Sequence, residues 1–175
     1  MKRGNSLRDT LMEELSELLS AEDRLIGVLP KMAEASQSSS LKAVLEDHLE
    51  IAKEHAFRLH DIFSNLGENP PRVNSEVVTG LVQEMEFVVN KTRKCPTLDA
   101  AIINLTQGIE QYAIPKYQTA HEHASALGYS RMVELLNETI FEERAINSHL
   151  SEVAHYSSNA LAVNPFDPPW HSILQ

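Results

Sequence analysis

The sequence predicts an all-α fold: an antiparallel four-helix bundle with an additional crossover helix, five helices in all. Three observations carry this. Four long stretches place apolar residues at alternating steps of three and four, which keeps them on one helix face. No β-rich stretch interrupts them. A shorter helical stretch fills the long connection between the second and fourth, as a crossover between two helical hairpins would.

Asn5-Ser6-Leu7-Arg8-Asp9 reads as a capped start, with Ser6 three residues before an acid. The first helix then presents Leu11, Leu15, Leu18, Glu22, Leu25 and Leu29 on one face. Pro30 is expected to kink its last turns rather than end them, because Lys31-Met32-Ala33-Glu34 still favours helix. Gln37-Ser38-Ser39-Ser40 is a loop and cap. The second helix runs from about Leu41 to Leu66 and ends at Gly67, with a seam of Leu41, Leu45, His48, Ala52, His55, Leu59 and Ile62. Glu68-Asn69-Pro70-Pro71 breaks the chain. The crossover helix starts at Asn74 or Ser75 and carries Val77, Val78, Leu81, Met85, Val88 and Val89, with Glu84 and Glu86 outside.

Thr97 is the expected cap of the fourth helix, which stops at Gly128. Its seam is Ile103, Thr106, Glu110, Ala113, Tyr117, Ala120, Ala124 and Leu127, and Pro115 predicts a bend within it. The fifth helix begins near Ser130 with Met132, Leu136, Thr139, Glu143, Ile146, Leu150 and Val153 facing inward. After Tyr156 the periodicity ends. Residues 1–156 therefore read as one helical domain and 157–175 as an extended, Pro-containing tail, whose Phe166 and Trp170 suggest docking.

The bulk properties exclude several classes. A chain of 175 residues suits a single domain, and 42% hydrophobic residues exclude wholesale disorder. No apolar run is long enough for a bilayer, and the acidic stretch after Met1-Lys2-Arg3 is no signal-peptide core. Cys95 is the only cysteine, which rules out an intrachain disulfide and a cysteine-zinc site. A net charge of −10 without a basic patch argues against nucleic acid. The expectation is a cytoplasmic protein with neither membrane nor nucleic-acid partners, assembling as a homodimer or larger homo-oligomer.

Glu22, His48, His55, Glu110 and Glu143 stand where the seams call for apolar residues. A carboxylate desolvated without a partner costs on the order of several kcal/mol, so it is paired, protonated or bound to a metal. Leu11 to Glu22 and Glu143 to Val153 are similar distances along the axis, which sets both acids near mid-bundle. Carboxylates from several helices, with histidine, are how helical bundles hold paired iron or manganese ions. The alternative is a hydrogen-bonded network that fixes register, pairing Glu22 with His48 or Glu110 with His55. His60, His121, His123 and His171 read as surface residues. Gln111, Tyr112 and Tyr117 read as packing residues, with a tyrosine as a further hydrogen-bond donor to the acids.

From about Leu7 to Ala154 the chain resembles the YciE/YciF-like family of ferritin-like bacterial stress proteins. The matching stretches are Ala21-Glu22 with Leu29-Pro30-Lys31-Met32, and His48-Leu49-Glu50 followed by Arg58-Leu59. Further along come Glu110, Tyr112, Ile114 and Tyr117, then Leu127-Gly128-Tyr129, Leu135-Leu136, Glu138-Thr139 and Glu142-Glu143. The resemblance implies a ferritin-like core, a dimer, a dinuclear metal site and a link to stress responses. The chain departs from the family pattern where Ile51 and Ala52 replace Glu-Thr, where Gln111 and Ala113 replace His and Glu, and where Asn147 replaces Asp. The resemblance thus implies a site short of carboxylates, with His55 as partial compensation and Asn147 in or near it.

Two functions follow. One is a ferritin-like metalloprotein whose Glu22, His48, Glu110, Glu143 and His55 bind iron or manganese, as a pair or a single ion, for ferrous-iron or peroxide oxidation; no organic cofactor is expected. The other is a metal-free helical stress or interaction protein with a buried polar network. A zinc hydrolase lacks its histidine-carboxylate motif here.

Overall fold

A computed structural model of the chain describes residues 6–71, 73 and 75–155. It contains α1 (Leu7–Ala35), α2 (Ser39–Asn65), α3 (Glu76–Lys91), α4 (Pro96–Ala126) and α5 (Ser130–Val153), and no strand among the described residues. The expected start at Asn74 and the tail from residue 157, with Phe166, Trp170 and His171, lie outside the described residues.

The helix ends follow local chemistry. Ser6 and Asp9 form a reciprocal capping box at the start of α1. Ser38 and Ser75 accept from backbone N–H groups three residues on and cap α2 and α3. Gly67 and Gly128 have φ of 67° and 77°. Each closes a helix with two reverse hydrogen bonds: Glu68 N to Phe63 O and Gly67 N to Ser64 O, then Tyr129 N to Ala124 O and Gly128 N to Ser125 O. The expected Thr97 cap is corrected. Cys95 is the N-cap residue without a side-chain bond, Pro96 is the first helical residue, and Thr97 lies inside. Proline's missing N–H costs nothing at that position, which moves the boundary. Both Pro30 and Pro115 lie within continuous helices.

Direction is read from pairs of residues. Arg8 meets Glu68, so α2 returns to the start of α1. His123 meets Glu14 and Lys116 meets Glu17, so α4 runs antiparallel to α1. Arg58 meets Glu138 and Glu142, bringing α5 alongside α2. Helix α1 packs on α2 and α4, and α5 on α4 and α2, while α3 lies outside against α1 and α4. Lys31–Glu86 ties its last turns to those of α1. Only Val78 and Met85 of α3 are buried, and Val77, expected inward, is exposed because this helix covers the bundle from one side. Buried Asp99 fixes the opposite corner by accepting from the backbone N–H groups of Gln37 and Ser38, both at 2.8 Å. No described helix is long and apolar enough to cross a membrane.

The interior splits into two apolar clusters. One joins the first half of α1 to the last turns of α2 and α4 and the start of α5, including Leu11, Leu15, Phe63, Ala120 and Leu136. The other joins the second half of α1 to the start of α2, the first half of α4 and the end of α5, including Leu29, Leu45, Ile109 and Leu150. The seam acids and histidines form a polar layer between them.

Candidate metal centre

Glu22, His48, His55, Glu110 and Glu143 are all buried, at no more than 1% exposure. Their seams carry them inward, and the antiparallel packing brings them to one level. They form two groups of three, Glu22–His55–Glu143 and His48–Glu110–Glu143. Within each group, one ligand atom per residue lies within 4.8 Å of the others. Glu143 belongs to both.

The pairings are the reverse of those expected. His55 Nδ1 lies 3.5 Å from Glu22 and 3.4 Å from Glu143, and His48 Nε2 lies 3.3 Å from Glu110. Glu22–His48 and Glu110–His55 are not the contacts formed, because axial offset and rotation of α2 decide which acid each histidine meets. Asn147 is engaged from outside by Gln107 Nε2 at 3.4 Å. His123, expected on the surface, is half-buried through its pairing with Glu14 at 2.9 Å.

Two residues of the first group are held by neighbours. Tyr117, fully buried, donates its hydroxyl to Glu22 Oε1 at 2.6 Å. His55 Nε2 is 3.0 Å from Glu142 Oε2, and Arg58 grips that carboxylate with two guanidinium N–H groups while also donating to Thr139 Oγ1 at 3.3 Å. This bond leaves the His55 Nδ1 face turned to the two acids. Glu142 and Arg58 appeared in the sequence only as parts of the family resemblance. They lie off the inward seam, on the side of their helices where α2 meets α5, so periodicity does not mark them.

Against that order, eight buried polar atoms have no hydrogen-bond partner among the described residues, and all belong to the five seam residues. They are Glu22 Oε2, both ring nitrogens of His48, His55 Nδ1, and both carboxyl oxygens of Glu110 and of Glu143. Buried polar groups are nearly always hydrogen-bonded, whereas these acids and imidazoles, converging from four helices, meet one another only in ion-pair contacts of 3.3–3.5 Å, an arrangement that a cation could occupy.

Burial and mutual charge set the protonation. Desolvation and the nearby Glu143 raise Glu22 from its ordinary 4.5 to about 7. Desolvation, then Glu143, raise Glu110 well above its ordinary value. Desolvation lowers His48 to about 4, so although Glu110 is within ion-pair distance, burial keeps both groups neutral. Burial also opposes charge on His55, but Glu143 and Glu22 outweigh it and raise it to about 10. Burial opposes ionisation of Glu143 too; the Glu110 carboxyl and the two histidines overcome it and hold it at about 2. Neutral imidazole on His48 is already the ligand form, whereas His55 and Glu110 must lose protons to bind a cation.

The donor set of three carboxylates, Glu143 among them shared by both groups, and two imidazoles could therefore hold a metal ion. Comparison with known proteins agrees with the fold. The chain is 32% identical to YciF of Escherichia coli over 162 residues, covering 91% of this chain and 96% of that protein. It superposes on the crystal structure of that stress protein with a TM-score of 0.83, at 31% identity over 91% of this chain and 99% of the other. YcfI of Rhodopseudomonas palustris matches with a TM-score of 0.80 at 33% identity, covering 88% and 99%. A ferritin-like diiron-carboxylate protein of Bacillus anthracis shares the fold, with a TM-score of 0.67 at 19% identity over 86% and 99%. The family described as a domain of unknown function, DUF892, matches residues 6–162. The chain belongs to this YciF-like family of ferritin-like fold.

Proposed function

We propose that this chain is a stress-associated ferritin-like metalloprotein. Glu22, His55 and Glu143 would hold one iron or manganese ion and His48, Glu110 and Glu143 a second, with Glu143 common to both groups. The observation that carries this reading is that eight buried atoms, all on these five residues, make no hydrogen bond, their nearest approaches being ion-pair contacts of 3.3–3.5 Å within the cluster. A self-sufficient polar network would have consumed them, since leaving a buried donor or acceptor unmatched costs about 1–3 kcal/mol each. The bonds from Tyr117 and Glu142 engage only the outward sides of Glu22 and His55.

The residues divide the work. The three carboxylates offset cationic charge in a layer that two apolar clusters seal from water. Glu142, half-buried at the surface end of the His55 bond, connects the centre to solvent. A ferrous pair held by these residues would supply two electrons, enough with two protons to reduce one hydrogen peroxide to two waters. Kinship with the E. coli stress protein supports the stress association.

The test is elemental analysis of untagged protein after anaerobic ferrous loading and desalting, beside a Glu22→Ala/Glu110→Ala double variant. Close to two irons per chain, lost in the variant, is the expected result. Background metal in both would return the chain to the metal-free network reading.

A further inference from the structure

The two halves of the centre are built differently. In the Glu22–His55–Glu143 half, two of the three side chains are fixed from outside: Tyr117 holds Glu22 Oε1, and Glu142, itself clamped by Arg58, holds His55 Nε2. In the other half, His48 Nε2 lies 3.3 Å from Glu110, and among the described residues no side chain from outside the centre hydrogen-bonds either ring nitrogen of His48 or either oxygen of Glu110. A hydrogen bond behind a ligand fixes its orientation, and where a histidine donates to a carboxylate it also fixes the tautomer and raises basicity; losing such a bond costs about 10–100-fold in metal affinity. A ligand held in place before binding also loses less conformational freedom on binding.

We propose that the centre fills in a fixed order: the Glu22–His55–Glu143 half binds first and tightly, and the His48–Glu110–Glu143 half second and more weakly. A one-ion state is then the main species at limiting metal, and the second ion is the exchangeable one. This rests on the dinuclear reading above and adds the inequality of its halves. Tyr117, Glu142 and Arg58 become positioning residues of the tight half.

The experiment uses the chelator-treated full chain titrated with Mn²⁺, the free ion counted by its solution EPR signal. Wild type is expected to show two dissociation constants at least about 10-fold apart. Glu142→Gln should weaken the tight step by about 10–100-fold and draw the two constants together. Tyr117→Phe should act in the same direction. Glu110→Gln, which preserves shape, should bind a single ion with the wild-type first constant and with the EPR spectrum of wild type at one equivalent. A destabilised but correctly positioned site would not divide the steps in this way. The proposal is overturned if Glu110→Gln abolishes the tight step, or if Glu142→Gln and Tyr117→Phe both leave it unchanged. A wild type that binds no Mn²⁺ and no iron would refute the dinuclear reading itself, which equal affinities for two ions would not.

Discussion

Glu22→Gln separates a metal ligand from a satisfied partner through stability of the metal-free protein alone. Glu22 is buried at 1% exposure, and desolvation raises its pKa from 4.5 to about 7. A group raised in the folded state contributes its full stability below the unfolded value and loses it as pH rises through the folded value. The loss here spans pH 4.5 to about 7, and at 1.36 kcal/mol per unit it amounts to about 3 kcal/mol. Glutamine keeps an oxygen for the Tyr117 hydroxyl and cannot ionise, so the variant escapes this loss. The assay is urea unfolding of both chelated proteins, followed by far-ultraviolet circular dichroism, near pH 5 and near pH 7.5. His48, lowered to about 4, loses its contribution as pH falls below 6.5, but it does so in both proteins and cancels in the difference. The stability difference should move toward the variant by about 2 kcal/mol between the two conditions, while added Mn²⁺ stabilises wild type more than the variant. A difference that is the same at both pH values, or a variant less stable at the higher one, would mean that the Glu22 anion is adequately solvated or paired. The reasoning from burial would then fail.

Metal loading should release protons. His55 is raised to about 10 and Glu110 well above its ordinary value, and both must deprotonate, with Glu22 near half-titration at neutral pH. Mn²⁺ loading near pH 7 should therefore release about two to three protons per metal pair, read with an indicator dye in weak buffer; release close to zero would contradict the ligand assignment. Away from the centre, Asp99→Ala removes the buried carboxylate that accepts from Gln37 and Ser38 and leaves two part-buried backbone donors without it. It should cost about 2 kcal/mol in urea unfolding with metal absent, without changing Mn²⁺ stoichiometry.

The helices, their inward faces and the existence of a polar layer were legible from the sequence because each depends on local periodicity. Glu22, Glu110 and Glu143 break their apolar seams at similar heights, and a residue in a seam is buried whichever helix faces it. Gly67 and Gly128 mark helix ends because only a residue tolerant of positive φ fits there. The partners were not legible. Whether Glu22 meets His48 or His55 depends on axial offset and rotation between helices, which packing of the whole core settles. Glu142 and Arg58 lie at a helix–helix seam rather than on an inward face, so their hold on His55 arises only once α2 and α5 are side by side. The sequence by itself determined which side chains would be buried at mid-bundle. Only the tertiary structure decided how they divide into two unequal groups sharing Glu143, because that division rests on distances between helices, which no periodicity within one helix encodes.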